Sequence, residues 1–492
     1  MNGVVLGVAV GYLVLSLVVG ILPGRKASDS AEGYVAGDRA LGPVVMYFIT
    51  GATIFSAFAF LGMPGWAYSR GVAALYVLGY GALGFLPFYF LGPRAWRVGK
   101  AYGFVTQAEM VAHRFRSPGL ALVMAVVSFL GFVPYLALQM NGAGRLLFEL
   151  TGGTVEPWVG AAIVYGVVLV YVLKSGVLGV GWTNTLQGVL MLALAWVIGL
   201  WLPEKLYGGV GAMFDRISAE RPEMLVPPGL KDGAPWSWSD YTSSVVVSIL
   251  GFSMWPHLFM KAFVARDERT LRRTVVLYPT FQIFLIPILF LGFAGILYGS
   301  APAHHDQVVP HMLLTMDLPP LVVGLFCAGA LAASMSSGDG IAHAAGAILV
   351  RDGARTSFGR ELTPHAERRW IRVAIVLVMV ASYAFALLDT SDLVTKLLGY
   401  AYSWIVQFLP AVCCALYVRR VTGAGLLAGM VAGALVVALF LSRPELRPWD
   451  LHAGAYGLAI NLAVLVLVSA VTRRDPAHDE AFLAAAAGER GG

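Results

Sequence analysis

The sequence predicts an all-α protein that crosses a membrane many times. Three observations predict it: composition, thirteen long apolar runs, and a lopsided distribution of basic residues. The 492-residue chain is 58% hydrophobic and only 13% charged, with a mean hydropathy of +0.75. A soluble chain needs about 25% charged residues to cover its surface. Runs long enough to span a bilayer, ~20 residues each, fall at about 4–23, 44–68, 73–97, 119–149, 157–174, 180–202, 242–262, 274–299, 320–349, 370–388, 393–418, 423–441 and 453–471. The net charge of +6 does not point to nucleic acid, because its placement accounts for it. With the N-terminus outside, the inner segments hold 23 lysines and arginines and the outer ones 7. That is the bias that orients helices in a plasma (inner) membrane. Four of the seven lie in one long outer loop, 203–241, where charge has little leverage. The expected orientation is N-terminus outside and C-terminus cytoplasmic.

The first run, Val4 to Pro23, lacks a basic leader and a small-residue cleavage site, so it reads as a retained span. The second is interrupted by Gly51, then Thr53, Ser56 and Ala57, then Gly62-Met63-Pro64-Gly65. Residues 104–116 predict an interfacial amphipathic helix. The Pro- and Gly-rich segment 203–241 predicts an outer loop with one short surface helix. The seventh run is interrupted by Gly251-Phe252-Ser253-Met254-Trp255-Pro256. Glycine and proline inside a span free backbone carbonyls, tolerated only where they line a cavity or find new partners. One such interruption is an ordinary kink. Two of them, five helices apart, suggest a site built on inverted repeats. The expected divisions are 1–43 (first helix and inner loop), 44–202 (five helices), 203–241 (outer loop), 242–418 (five helices), 419–474 (two further helices) and 475–492 (cytoplasmic tail).

The ninth run carries the stretch Ala328 to His343, crowded with small residues. It has hydroxyls at Ser334, Ser336 and Ser337 and a carboxylate at Asp339. Such groups at membrane depth face a bundle interior or a water-filled path. Sodium, small and hard, suits oxygen ligands of this kind if a second helix adds more. Packing glue between close helices is the alternative reading of the serines. Cys327, Cys413 and Cys414 all lie in apolar runs and offer neither a disulfide framework nor zinc spacing. His304-His305-Asp306 and His311 read as exposed loop polarity. No His-Glu-x-x-His, nucleophile elbow or phosphate loop with its lysine occurs, so no enzyme is expected.

Several motifs together carry a resemblance. They are Tyr34-Val-Ala-Gly-Asp-Arg-Ala-Leu-Gly42, Gly62-Met-Pro-Gly65, Phe104-Val-Thr-Gln-Ala-Glu-Met-Val-Ala-His-Arg-Phe115, Trp182-Thr-Asn-Thr-Leu-Gln-Gly188 and Ala332-Ala-Ser-Met-Ser-Ser337. From Tyr34 to about Arg420 the chain resembles the sodium:solute symporters. The resemblance implies a five-plus-five inverted-repeat, leucine-transporter-like core with broken second and seventh helices. It implies a sodium ion held by backbone carbonyls of Ala52, Phe55 and Ala333 and by the hydroxyls of Ser336 and Ser337. Family members often carry an acid after Trp-Thr in the sixth helix, where this chain has Asn184. An amide neutralises no cation, so one sodium per cycle is expected. Asp339 could supply the missing charge, pair with His343 four residues on, or stand solvated in an inner vestibule; Asn184 and Asp339 are together the candidates for a second cation or exit path.

The resemblance places a solute at mid-membrane between the broken helices. Candidates there are Ser56, Phe58, Phe60, Gln139, Trp255, His257, Tyr402, Trp404 and Gln407, each with a packing alternative. No lysine or arginine is expected near the pocket: Lys261 falls toward the inner end of its helix, Lys396 toward the outer end of its own, and Arg145 stands four residues from Glu149. Phe132 to Met140 is similar to the monocarboxylate and pantothenate branch more than the sugar branch. The expected function is therefore sodium-coupled import of a small carboxylate across the lipid bilayer. A proline-like amino-acid or sugar symporter is the alternative, and a ligand sensor without coupled transport is the other class. Neither a nucleic-acid partner nor a particular oligomeric state is implied.

Overall fold

The computed structural model describes residues 2–26, 30–316, 318–388, 401–473 and 475–489. The first helix, α1 (Asn2–Ile21), leads through a short α2 (Ala31–Ala36) to α3 (Pro43–Ile54). There the chain breaks. It resumes at Phe58 through a π turn into α4 (Met63–Arg70), bent by 60° from α3. Gly71, at φ 62°, turns the chain into α5 (Leu75–Gly84), followed by α6 (Phe88–Tyr102).

The next helix, α7 (Gln107–Phe115), opens on a reciprocal cap in which Thr106 Oγ1 accepts from Glu109 N while Glu109 reaches back to the Thr106 backbone. The sequence expected it to lie at the membrane interface. Instead its residues Gln107–Ala112 and Arg114 are buried within the protein. Ionic contacts explain the difference: Glu109 pairs with Arg351 at 3.2 Å, and Thr106 donates to Asp352 at 2.5 Å.

Then come α8 (Pro118–Leu150) and α9 (Pro157–Tyr207). The latter is two helices folded back at Gly176, whose φ of 54° and ψ of −142° suit glycine alone. Tyr171 and Thr183 both bond one oxygen of Asp339, though twelve residues of straight helix would hold them about 18 Å apart. The expected runs 157–174 and 180–202 are therefore the two arms of one hairpin. A Cβ at Gly176 would lie 2.3 Å from the Tyr34 carbonyl, so the reversal also needs glycine for close approach.

The segment expected as an outer loop, 203–241, holds the short helix expected there, α10 (Val210–Glu220), and a minimal hairpin, β1 (Leu230–Lys231) with β2 (Ala234–Pro235). The second broken pair is α11 (Trp238–Phe252) with α12 (Pro256–Val264), bent by 47°. After it run α13 (Glu268–Ile296), α14 (Pro320–Ile348), α15 (Pro364–Leu387), α16 (Ala401–Tyr417), α17 (Gly423–Ser442) and α18 (Ala453–Val471). The start of the run expected at 393–418, with Lys396, lies outside the described residues.

Eight helices are long and apolar enough to cross a membrane, and the two bent pairs raise that to ten. The serine-bearing α14 is the most enclosed, buried over nearly its whole length, whereas α17 and α18 turn wide apolar faces outward. That is what a central helix and a peripheral pair look like in lipid. The tail is not a simple polar extension. It forms α19 (Pro476–Ala487), which docks through a fully buried Phe482 and an ion pair between Asp479 and the buried Arg114.

Candidate functional site

Where α3 ends, Phe55 is extended (φ −89°, ψ 91°), its N–H turns back to Ala52 O at 3.1 Å, and the regular helical ladder stops. The serines of α14 meet the carbonyls there. Ser336 Oγ donates to Ala52 O at 3.0 Å and lies 3.1 Å from Ala333 O; Ser337 Oγ donates to Thr53 O at 2.8 Å. All five residues are fully buried. Adjacent hydroxyls thus meet adjacent carbonyls, so two residues that diverge on their own helix converge on a break. Gly340, one turn on, sets the approach: a Cβ there would lie 2.7 Å from Thr53 Cγ2.

Of the five expected sodium ligands, Ala52, Ala333, Ser336 and Ser337 come together. Thr53, rather than Phe55, supplies the second break carbonyl in contact with the serine pair. The Phe55 ring instead stacks on Phe281 at 5.4 Å and meets Phe284 edge-on at 4.6 Å. The paired one-residue steps, Ala52–Thr53 and Ser336–Ser337, were the signal that could have found Thr53. Ser334 is interhelical glue, donating to Gln139 O at 2.8 Å and sharing a 3.0 Å bond with the Tyr165 hydroxyl.

Across the first break, Gln139 Oε1 accepts from Ala57 N at 2.8 Å, and Ser56 Oγ accepts from Phe58 N at 3.2 Å, capping the restarted helix. Gln139 Nε2 is buried with no partner among the described residues. At the second break Gln107 Nε2 donates to Met254 O at 3.1 Å, and Trp255 becomes the hub of an aromatic cluster. Its ring centroid lies 6.2 Å from Phe132, 5.4 Å from Tyr135, 5.6 Å from His257 and 6.1 Å from Tyr402. The Tyr135 phenol lies near the Ser56 and Ser337 hydroxyls, joining this cluster to the oxygen cage. Tyr135 lies within the stretch Phe132 to Met140 and is not among the sequence candidates; a phenol four residues before Gln139 on the same helical face was the available signal.

Ser56, Gln139, Trp255, His257 and Tyr402 therefore gather. Others do not. The Phe60 ring sits in the core against Phe284 and Phe326, and Phe58 packs on Trp66. Gln407 turns to α18, donating to Gly454 O at 3.4 Å and accepting from Asn461 Nδ2 at 3.1 Å. Trp404 makes no ring contact with the cluster among the described residues.

Asp339 is fully buried, not solvated, and does not pair with His343. His343 Nε2 donates to the Tyr34 carbonyl at 3.1 Å instead. Four donor contacts converge on the carboxylate: Tyr171 OH at 2.7 Å, Thr183 Oγ1 at 3.1 Å and Asn184 Nδ2 at 3.0 Å to each oxygen. Asn184 Oδ1 in turn lies 3.0 Å from Thr53 Oγ1. A continuous chain thus runs from Asp339 through Asn184 and Thr53 to Ser337. Lys261 is buried one turn after His257, toward the end of α12. Arg145 is exposed, and Glu149 accepts from Gln307 Nε2 at 2.5 Å rather than pairing with Arg145.

The chain is an all-α, multi-pass bundle in which buried hydroxyls meet the carbonyls of a broken helix, the architecture of a membrane transporter family rather than an enzyme family. The chain belongs to the sodium:solute symporter family, which it matches over residues 34–433. It is a sodium-coupled symporter for a small organic solute, working across a lipid bilayer. It is 28% identical to the uncharacterized symporter YhjB of Bacillus subtilis over 94% of this chain and 96% of that one. It is 24% identical to a monocarboxylate transport permease protein of Rhizobium johnstonii (96% and 97% covered) and 25% identical to a sodium/proline symporter of Staphylococcus aureus (97% and 94%). Its fold matches that of a Na+-coupled sialic acid symporter with a TM-score of 0.82 at 18% identity, covering 96% and 98% of the two chains. These relatives carry different solutes. The monocarboxylate branch gains no specific support, and proline symporters recur among the matches.

Proposed function

We propose that the chain imports a small zwitterionic amino or imino acid together with one sodium ion. Sodium takes Ala52 O, Thr53 O, Ala333 O, Ser336 Oγ and Ser337 Oγ, the hydroxyls turning lone pairs inward where they now donate to carbonyls. A cage of neutral oxygens suits a monovalent cation. Phe55 O, implied by the family resemblance, joins if the break tightens around the ion.

The observation that carries the solute reading is the aromatic cluster of Trp255, Tyr135, Phe132 and Tyr402 beside the unpartnered Gln139 Nε2. Aromatic faces favour an ammonium by about 0.5–2 kcal/mol. Gln139 Nε2, with the neighbouring sodium, complements a carboxylate. A plain monocarboxylate would use only the second half of that arrangement. The relatives named for proline support the same reading. Thirteen spans, with α9 counted as two, and an outside N-terminus complete the proposed topology, supported by the basic asymmetry. Rocking of the bundle around the broken helices then exposes both passengers inward. One sodium moving down ~100 mV supplies about 2.3 kcal/mol, a roughly fiftyfold accumulation of a neutral solute.

The test is uptake into proteoliposomes under an inward sodium gradient, comparing labelled proline, alanine, pyruvate, acetate and a hexose. Uptake of amino or imino acids, abolished when choline replaces sodium, is expected. Preference for pyruvate or acetate would return the solute to the monocarboxylates. Binding without accumulation would make the chain a sensor.

A further inference from the structure

Two recesses outside the transport path share residues and form one groove between α15 and the first arm of α9. One is lined by His365, Arg368, Arg369, Arg372 and Val373. The other, about 530 Å³, is lined by Val170, Leu173, Lys174, Arg372, Val373 and Val376. That volume holds far more than a few waters at ~30 Å³ each. Its chemistry is graded along its length. On α15, His365 and the guanidiniums of Arg368, Arg369 and Arg372 give way to valines at 373 and 376 as the helix runs into the bundle. On the facing wall, Lys174 stands at the turn and Leu173 and Val170 lie deeper. The two arms run in opposite directions, yet both walls pass from charged to apolar in the same spatial sense.

Glu367, the carboxylate on this part of α15, is buried and taken by Arg351 at 2.5 Å and Arg355 at 3.6 Å. Among the described residues no carboxylate pairs with Lys174, Arg369 or Arg372. Tyr34 shelves two of the guanidiniums, with Arg372 at 5.3 Å and Arg368 at 5.7 Å from its ring, and its hydroxyl donates to Val172 O at 2.8 Å. Arg372 is thereby held at the groove with its Nε unpartnered. A cationic mouth over an apolar slot between helices is the complement of an anionic amphiphile, not of a soluble protein or nucleic acid.

We propose that this groove binds an anionic phospholipid of the inner leaflet. Its phosphate would sit among Lys174, Arg369 and Arg372, and an acyl chain would lie along Val170, Leu173, Val373 and Val376. The proposal uses the inward orientation of these basic residues but is independent of which solute is carried. Basic pockets between spanning helices on the cytoplasmic side have the charge and depth for such headgroups.

The experiment uses the full-length protein, purified in a mild detergent and titrated with cardiolipin, phosphatidylglycerol or phosphatidylcholine. Retained lipid is counted by native mass spectrometry, and thermal stability is followed in parallel. Anionic lipid should be retained and should raise the melting temperature; phosphatidylcholine should do neither. The variant Lys174→Gln with Arg369→Gln changes two exposed side chains and leaves the Tyr34 shelf intact; adding Arg372→Gln removes the third cation. At about one surface cation's worth of attraction each, the triple variant should bind anionic lipid on the order of a hundredfold more weakly. Arg216→Gln with Arg221→Gln, in the outer loop, should change nothing. Equal lipid retention by wild type and triple variant would overturn the proposal. So would displacement of the lipid by millimolar inorganic phosphate, which would make the groove a site for a free anion.

Discussion

Replacing Ser336 and Ser337 together by alanine tests the cage most directly. Each hydroxyl is one of five oxygens around the proposed ion, and each also bonds a carbonyl at the break: Ala52 O at 3.0 Å, which accepts from Phe55 N as well, and Thr53 O at 2.8 Å. An oxygen contact to a charged group contributes about 1.5–3 kcal/mol. Losing two should weaken sodium binding by ~3–6 kcal/mol, a factor of about 10²–10⁴ in the half-saturating sodium concentration. The same change strips the Ser337 donor from the buried Thr53 O, at a cost of about 1–3 kcal/mol, while Ala52 O keeps its bond from Phe55 N, so a loss of stability must be separated from a loss of sodium. Ser334→Ala provides the control. It removes a hydroxyl from the same helix that bonds Gln139 O and Tyr165 rather than the break. The assay is solute uptake into proteoliposomes against external sodium, with the melting temperature of each variant measured alongside. The double variant should need far more sodium for half-maximal uptake, and Ser334→Ala should lose stability with its sodium requirement unchanged. A folded double variant with wild-type sodium dependence would refute the cage, as would an equal shift in Ser334→Ala.

Gln407→Ala should lower the melting temperature through its lost contacts to Gly454 and Asn461 while leaving the KM for solute unchanged; Trp255→Ala should raise that KM more than tenfold, read by initial uptake rates. Asp339→Asn sets an amide against the Asn184 amide and the Tyr171 and Thr183 hydroxyls, and should cut the uptake rate by more than tenfold. Combining it with Asn184→Asp moves the carboxylate across the same 3.0 Å contact and should recover most of the rate if the pair acts as a unit; no recovery would mean that the position of the charge, not its presence, matters. Arg114→Ala breaks a buried ion pair with Asp479, at a cost of about 3–5 kcal/mol. It should raise hydrogen exchange across 475–489 without changing the sodium requirement.

What was legible in the chain follows the range of the physics involved. Bilayer thickness acts on runs of ~20 residues, so the spans could be read locally, as could both breaks from their glycines and prolines. The hairpin at Gly176 was legible only as a gap between two runs, because it takes tertiary contact to show that both arms converge on Asp339. Side-chain direction was the weak point. Gln407 and Gln139 look alike in sequence, each a lone amide in an apolar span, yet the first is consumed by α18 and the second keeps a free Nε2 beside the break. Asp339 shows why. Its own helix offered His343 at the right spacing, but three donors on two arms of α9 outcompete one imidazole that the Tyr34 carbonyl already holds. Asn184, on the second arm of α9, faces the Asp339 carboxylate across 3.0 Å. The link from Asp339 to the serine pair runs through Asn184 and Thr53, whose hydroxyl meets Asn184 and whose carbonyl accepts from Ser337. A shift of α3 that parts Thr53 O from Ser337 must therefore also disturb the contact through Asn184 to Asp339.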